Sequence, residues 1–246
     1  MLFQPIHYWL SSFKTRNKIL NFIDYSGFFK SAELTALISL RDKNYALKNN
    51  RDNFIESLKF DTKKIVFPHQ THSSNISIVE KSKSYPQTDG LISTTKNLGI
   101  GILIADCTPV FLFGANSGHC GIIHSGWKGA AGQITTNALK KFIALGNKSS
   151  EIKAVIGPSI DKCCFEIGQD VARHFSSKNL FSKKGSKLNL DLKSEIFEEL
   201  MNSGLRRKNI FRDRYCTFCE EEKFFSYRRE GALTGRMIAI MNVKSR

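Results

Sequence analysis

The chain has 246 residues, 41% hydrophobic and 24% charged, which excludes a disordered chain and leaves room for a sizeable buried core. No apolar run approaches the roughly 18 residues of a membrane span, and MLFQPIHYWLSSFKTRNK lacks the basic start, continuous apolar stretch and cleavage site of a secretory signal, so a cytoplasmic protein is expected. The formal charge of +15 invites a nucleic-acid partner, but the densest basic groups, KKGSK, RRK and RR, are scattered and no recognition motif accompanies them; a lysine-rich solvated surface is expected instead.

In chain order, the first sixty residues read as mixed helix and loop, ending in the helix-like RDNFIESLKF. Short strands then dominate: KKIVFPHQ, NISIVEK, DGLIST, GIGILIAD and HCGIIHS. GAAGQITTNALKKFIALG is an amphipathic helix with Ile134, Ala138, Phe142 and Leu145 on one face and Gly146 as its stop. EIKAVIGPSI is a buried strand. A short helix follows near Gln169 to Phe175, then a polar loop, SSKNLFSKKGSKLNL. DLKSEIFEELMNSG makes a second clear helix along Leu192, Ile196 and Leu200, closed by Gly204. NIFRDRYCTF, FFSYRREG and RMIAIMNV complete the chain as strand-like pieces. The order implies an α/β or α+β protein, with a short extension at 1–20 and one domain from 20 to 246.

Six cysteines stand at 107, 120, 163, 164, 216 and 219. CTFC has the spacing of half a zinc knuckle, and Cys163-Cys164 is the sole other half on offer. Neighbours on a strand point to opposite faces and chelate one ion poorly, so these cysteines are expected to be small apolar core residues.

Polar groups interrupt apolar runs in PHQTH, ADC, HSGWKG and FSYRREG. Cys107 lies 35 residues beyond His72 and His124 lies 17 beyond Cys107, which is no zinc-finger spacing. Position argues instead: each residue ends a strand, so the three can meet at one edge. Two imidazoles and a thiolate would make a three-donor zinc site with an open fourth position, the catalytic arrangement. The same residues also suit a metal-free pair, with Cys107 as nucleophile, His124 as its base and the Ser125 and Gly126 amides as oxyanion donors.

PHQTH, TDGLIS, ADCTPV, HSGWKG, IGPSI with CCFEIG, and CTFCEEEKFFSYRREGALTGRM stand in this order. They resemble the signature blocks of the multicopper polyphenol oxidase (laccase) domain family, described as zinc-dependent purine nucleoside phosphorylases related to the human laccase-domain protein. The resemblance covers residue 60 to the C-terminus. It implies a multilayered α/β/β/α sandwich, also seen in a cysteine-hydrolase-like superfamily, and a metal triad of His72, Cys107 and His124. It also implies phosphorolysis of adenosine, inosine, guanosine or methylthioadenosine, with deamination of adenosine alongside. The family's Gly-rich stretch is missing from FIDYSGFFKSAELTALISLRDKNYALKNN, which puts one wall of the pocket in question.

On this reading Zn²⁺ is the cofactor and the partners are a purine nucleoside and phosphate. Lys128 and Arg229 are expected to hold the anion, Arg229 being preferred over Arg228 because alternation on an extended FSYRR turns one arginine away. Gln70 is expected either to bind the base or to brace its own loop, and Asp106 either to shuttle a proton or to brace the site. A true multicopper oxidase needs many more imidazoles than six histidines supply, so copper would be adventitious. Two other readings remain: an amidase that edits peptidoglycan precursors through Cys107 and His124, and a non-enzymatic basic nucleic-acid-associated protein.

Overall fold

Two runs that are apolar but for Thr108 and Asn242, TPVFLFG at Thr108–Gly114 and MIAIMNV at Met237–Val243, become strands in which every residue is buried. A strand reads this way when both faces of its sheet are covered. The computed structural model describes residues 10–15, 18–182 and 187–245, with residues 10–20 described by backbone alone. In chain order the elements are β1 (Leu10–Thr15), β2 (Lys18–Asp24), α1 (Ser26–Phe29), β3 (Leu34–Ser39), α2 (Lys48–Ser57), β4 (Ile65–Val66), β5 (Ile76–Val79), β6 (Gly90–Ser93), β7 (Gly99–Ile104) and β8 (Thr108–Gly114). They continue with β9 (Cys120–Ser125), α3 (Trp127–Ala131), α4 (Ile134–Ala144), β10 (Ile152–Ile156), β11 (Glu166–Ile167), α5 (Gln169–Ala172), β12 (Leu180–Ser182) and β13 (Leu188–Leu190). Helix α6 (Leu192–Asn202), β14 (Ile210–Arg212), α7 (Tyr227–Glu230) and β15 (Met237–Val243) close the chain.

Two six-stranded sheets carry the fold, one in the order β1-β2-β3-β15-β7-β4 and the other β14-β10-β8-β9-β6-β5. A small third sheet joins β11, β13 and β12. Between the large sheets lies a core fed from both: Ile38, Ile102 and Met241 from the first meet Leu91, Phe111 and Ile122 from the second. The outer face of the first sheet is covered by α2, whose Phe54 and Ile55 cluster with Leu37, Ile238 and Ile240. Helices α4 and α6 cover the second sheet with Ile134, Ala138, Phe142, Leu192, Ile196 and Leu200. Each large side chain buried this way contributes roughly 1.5–3 kcal/mol. The layers therefore run helix, sheet, sheet, helix, and both long helices end at left-handed glycines, Gly146 (φ 86°) and Gly204 (φ 93°).

Several sequence expectations change. The first sixty residues hold strands β1, β2 and β3 as well as helix; LTALIS is too short for periodicity to tell strand from helix, and pairing with β15 decides it. Residues 1–9 of the expected extension lie outside the described residues, and the boundary at 20 falls inside β2, which pairs with both β1 and β3. The polar loop 176–190 contains β12 and β13, with 183–186 outside the described residues. FFSYRREG is a loop and one helical turn, α7, because Ser226 caps the turn by accepting the Arg229 amide. Among the described residues no helix is long and apolar enough to cross a membrane.

Candidate metal centre and active-site pocket

The turn that carries Cys107 also joins the two large sheets. Strand β7 belongs to one and β8 to the other, and Ala105, Asp106 and Cys107 bridge them. Asp106 adopts φ 80°, a left-handed conformation seldom taken by a residue with a side chain, and its surroundings enforce it. Its carboxylate accepts the Thr217 hydroxyl (2.6 Å), the Ser226 hydroxyl (3.0 Å) and the Arg228 amide (2.7 Å). With every one of these bonds made, Asp106 braces the turn; it is a clamp, and the proton-shuttle alternative loses its free carboxylate.

His124 sits near the end of β9, where its backbone pairs with Pro109 across β8. Its ring Nδ1 meets Asp89 Oδ1 at 2.9 Å inside the protein. The same carboxylate accepts the amides of Thr71 (3.0 Å), His72 (3.0 Å) and Ser73 (2.7 Å) and the Ser73 hydroxyl (2.8 Å). Asp89 thus fixes the ring of one histidine and the strained backbone of the other, His72, at φ 58°. The rings of His72 and His124 stand 4.9 Å apart at 67°. The TDGLIS block by itself assigns Asp89 no role, because its partners lie on a distant turn and strand that only the fold brings to it.

The donor atoms of His72, Cys107 and His124 lie within 4.8 Å of one another. Burial pushes the Cys107 thiol up, but the His124 charge and hydrogen bonds from His124 and His72 outweigh it and bring the thiol down to about 6. Burial pulls His124 down, yet Cys107 and Asp89 lift it to about 9. Burial raises Asp89 too, but hydrogen bonds from His124, Ser73 and Thr71 hold it well below the usual carboxylate range. The backbone of Gly126 passes so close that a Cβ there would stand 2.9 Å from Cys107 Sγ and 3.4 Å from His72 Cδ2. Only glycine leaves Cys107 and His72 room. Two imidazoles and a thiolate, with Asp89 on the far nitrogen of one ring, fit the donor set and supporting carboxylate of a catalytic zinc site.

The cluster lies in the wall of a pocket of about 790 Å³, the size of a small-molecule site. Apolar and aromatic surface comes from Leu103, Trp127, Ile160, Phe165, Leu192 and Tyr227, and positive charge from Lys128, Arg228 and Arg236. Lys128 Nζ stands 5.6 Å over the Trp127 ring. Arg228 lies 5.5 Å over Phe165 and donates to the Glu166 carbonyl at 2.9 Å. The divergent N-terminal quarter reaches the pocket through Ala46, and Asn44 accepts the amide of Arg236 at 3.1 Å.

The expectation for Arg229 is corrected by this arrangement. Its guanidinium turns inward to the carbonyls of Thr217 (2.9 Å), Phe218 (2.7 Å) and Phe224 (2.7 Å) and to Glu230 (2.6 Å), and it does not line the pocket. Alternation was the right test for an extended FSYRR, but on a helical turn the outward arginine is Arg228. Gln70 lines the pocket with its carboxamide paired twice to the Leu103 peptide, both bonds 2.9 Å, so it braces the PHQTH loop on β7.

The cysteines of CCFE and CTFC also depart from expectation. Cys163 and Cys164 lie on a turn, not a strand, and all four sulfurs of Cys163, Cys164, Cys216 and Cys219 gather within 4.8 Å of one another. Cys163 and Cys219 are exposed, so those two are not apolar core residues, whereas Cys216 is buried. Cys120 fits the expectation, buried between the sheets.

Comparison with known proteins agrees with the arrangement. The family model described as multi-copper polyphenol oxidoreductase laccase matches residues 24–244. The purine nucleoside phosphorylase YlmD of Bacillus subtilis is 31% identical over 224 residues, 84% of this chain and 81% of the relative. The adenosine deaminase RL5, from an unknown prokaryotic organism, is 29% identical over 196 residues, 73% of this chain and 75% of the relative. The crystal structure of YlmD from Geobacillus stearothermophilus superposes with a TM-score of 0.86 at 25% identity, covering 95% of this chain and 99% of that one. With nearly its whole described length inside the match, this chain belongs to the multi-copper polyphenol oxidoreductase laccase family.

Proposed function

We propose that the chain is a zinc-dependent purine nucleoside phosphorylase. The observation that carries this reading is the placement of the His72, Cys107 and His124 donors in the wall of an aromatic pocket flanked by three cations. Relatives named purine nucleoside phosphorylase and adenosine deaminase support a role in purine metabolism at the level of the family.

In phosphorolysis a phosphate oxygen forms a bond to the anomeric carbon of ribose while the bond from that carbon to the purine nitrogen breaks. The protein must bind a flat base, orient an anion and favour positive charge building on the sugar. Trp127, Phe165 and Tyr227 offer surfaces on which a purine can lie. Arg228 offers its planar fork to phosphate, and Lys128 and Arg236 add charge at the same rim. Asp106, by accepting the Arg228 amide, holds the helical turn that presents this arginine. Asp89 fixes the tautomer and direction of His124, leaving Nε2 turned to the cluster. His72, Cys107 and His124 are the residues that would hold the ion; when bound, zinc supplies a Lewis acid with one position left for substrate. Copper is a weaker fit for oxidase chemistry, because the one His-bearing donor cluster among the described residues has two imidazoles.

Adenosine deamination at the same site is the second reading, favoured by the similarity to a relative named for that activity. Incubation of the zinc-loaded protein with adenosine, inosine and methylthioadenosine, with and without phosphate, separates the two by mass. Free purine base formed only with phosphate supports phosphorolysis. Inosine formed from adenosine without phosphate supports deamination. No product from any of the three, with zinc bound, overturns the proposal.

A further inference from the structure

The loop 159–166 and the loop 213–219 meet beside the pocket and share more than a cysteine cluster. Ser159 and Cys216 form a parallel bridge, and the Thr217 amide donates to the Ser159 carbonyl at 3.0 Å. Lys193 is wholly buried between the loops, its ammonium on Asp161 (3.1 Å) from one and on the carbonyls of Asp213 (3.3 Å) and Tyr215 (2.7 Å) from the other. A buried lysine needs such partners. Around this joint, Cys164 Sγ stands 3.3 Å and Cys163 Sγ 3.6 Å from Cys219 Sγ.

We propose that Cys163, Cys164, Cys216 and Cys219 form a second metal site, a closed tetrathiolate that holds one zinc ion and locks the two loops together.

Geometry favours an ion over disulfides. With zinc–sulfur arms of about 2.3 Å, the edges of a tetrahedron are about 3.8 Å, and all four sulfurs here are mutual neighbours within 4.8 Å. A disulfide selects pairs, whereas Cys219 is shared between Cys163 and Cys164. An iron–sulfur cluster seats its cysteines on separate irons and spreads their sulfurs further, so a single ion fits better. The turn at 162–164 is what lets two consecutive cysteines face one point. A backbone amide supplies the independent sign: Cys216 Sγ accepts the N–H of Asp161 at 3.4 Å. An amide aimed at a sulfur favours the thiolate, the form a metal requires. With no histidine and no gap in the donor set, the site is structural.

Its effect would reach the pocket. Ile160 and Phe165 of the first loop line it, Thr217 of the second binds Asp106, and Arg228 rests on Phe165 and Glu166. The test uses the full-length chain purified under reducing conditions. Wild-type protein should hold two zinc ions per chain, and the variant His72→Ala/Cys107→Ser/His124→Ala should still hold one. Metal-free triad variant titrated with Co²⁺ should show the strong charge-transfer absorption of four thiolates. Cys163→Ser/Cys219→Ser should lose that absorption and one zinc, with a melting temperature lowered by about 5–10 °C. Should that variant fail to fold, the wild-type count and the triad variant's cobalt spectrum decide alone. A triad variant that binds neither zinc nor cobalt overturns the proposal, as does peptide mapping of anaerobically isolated protein that finds these cysteines joined as disulfides.

Discussion

Two sulfur-bearing donor clusters flank this pocket, and they are built in opposite ways. The first draws His72 from the loop between β4 and β5, Cys107 from the turn that joins the two sheets and His124 from β9, sets them in the pocket wall and braces them with Asp89 from behind. The second draws four cysteines from two neighbouring loops, includes no histidine and is braced by the Asp161 amide and the buried Lys193. Three donors beside open space suit chemistry, and four donors that satisfy one another suit cross-linking. The comparison teaches that sulfur count alone does not reveal a site's task; what matters is whether the donor set is complete and what lies beside it.

The largest expected effect tests the open cluster. Cys107→Ser or His124→Ala should lower turnover by at least about 100-fold, given that even supporting residues of metal sites are worth 10–100-fold. Circular dichroism should show the fold retained; an active Cys107→Ser enzyme would break the distinction drawn between the clusters. Asp89→Asn should follow with a loss of about 10–100-fold in zinc affinity or activity, since it serves both histidines. Zinc titration by calorimetry measures it, and unchanged affinity and turnover would make Asp89 a simple loop brace.

The paired arginines sharpen the contrast further. Arg228→Ala should raise KM for phosphate about tenfold or more, the loss of one charge-assisted contact, with little change in melting. Arg229→Ala should do the reverse, costing about 1–3 kcal/mol by stranding the carbonyls it serves while leaving KM for phosphate in place. Kinetics and thermal melts of the two variants together decide the assignment. Gly126→Ala should cost about 1–3 kcal/mol by overpacking and weaken zinc binding, because the new methyl meets Cys107 and His72. The smallest effect belongs outside both clusters. Asp191→Ala removes the cap that accepts the Ser194 amide and pairs with Arg212. It should cost about 1 kcal/mol in chemical denaturation, with metal content unchanged.

Much of the framework was legible because it depends on local periodicity. The buried faces of Ile134–Ala144 and Leu192–Asn202 are the ones their spacing marks, and the mostly apolar strands are buried on both sides. The metal-capable triad was legible from the ordered motif blocks, although His72 lies in the loop between β4 and β5 and not at a strand end. LTALIS was ambiguous because six residues hold too little periodicity to distinguish strand from helix. Arg229 and the cysteine pair were misread for one shared reason. Alternation was applied to FSYRR and to CC, and both lie on turns, where consecutive side chains do not take opposite faces.

The sequence by itself determined the mixed α/β class, the two long helices and the residue types available for chemistry, because these follow from composition and repeat distance along the chain. Only the tertiary structure decided that Asp89 serves both histidines, that Arg228 and not Arg229 faces the pocket, and that four cysteines converge. Those outcomes rest on contacts between segments far apart in the chain and on the conformations of two short turns, and side-chain direction in a turn is set by what the turn packs against.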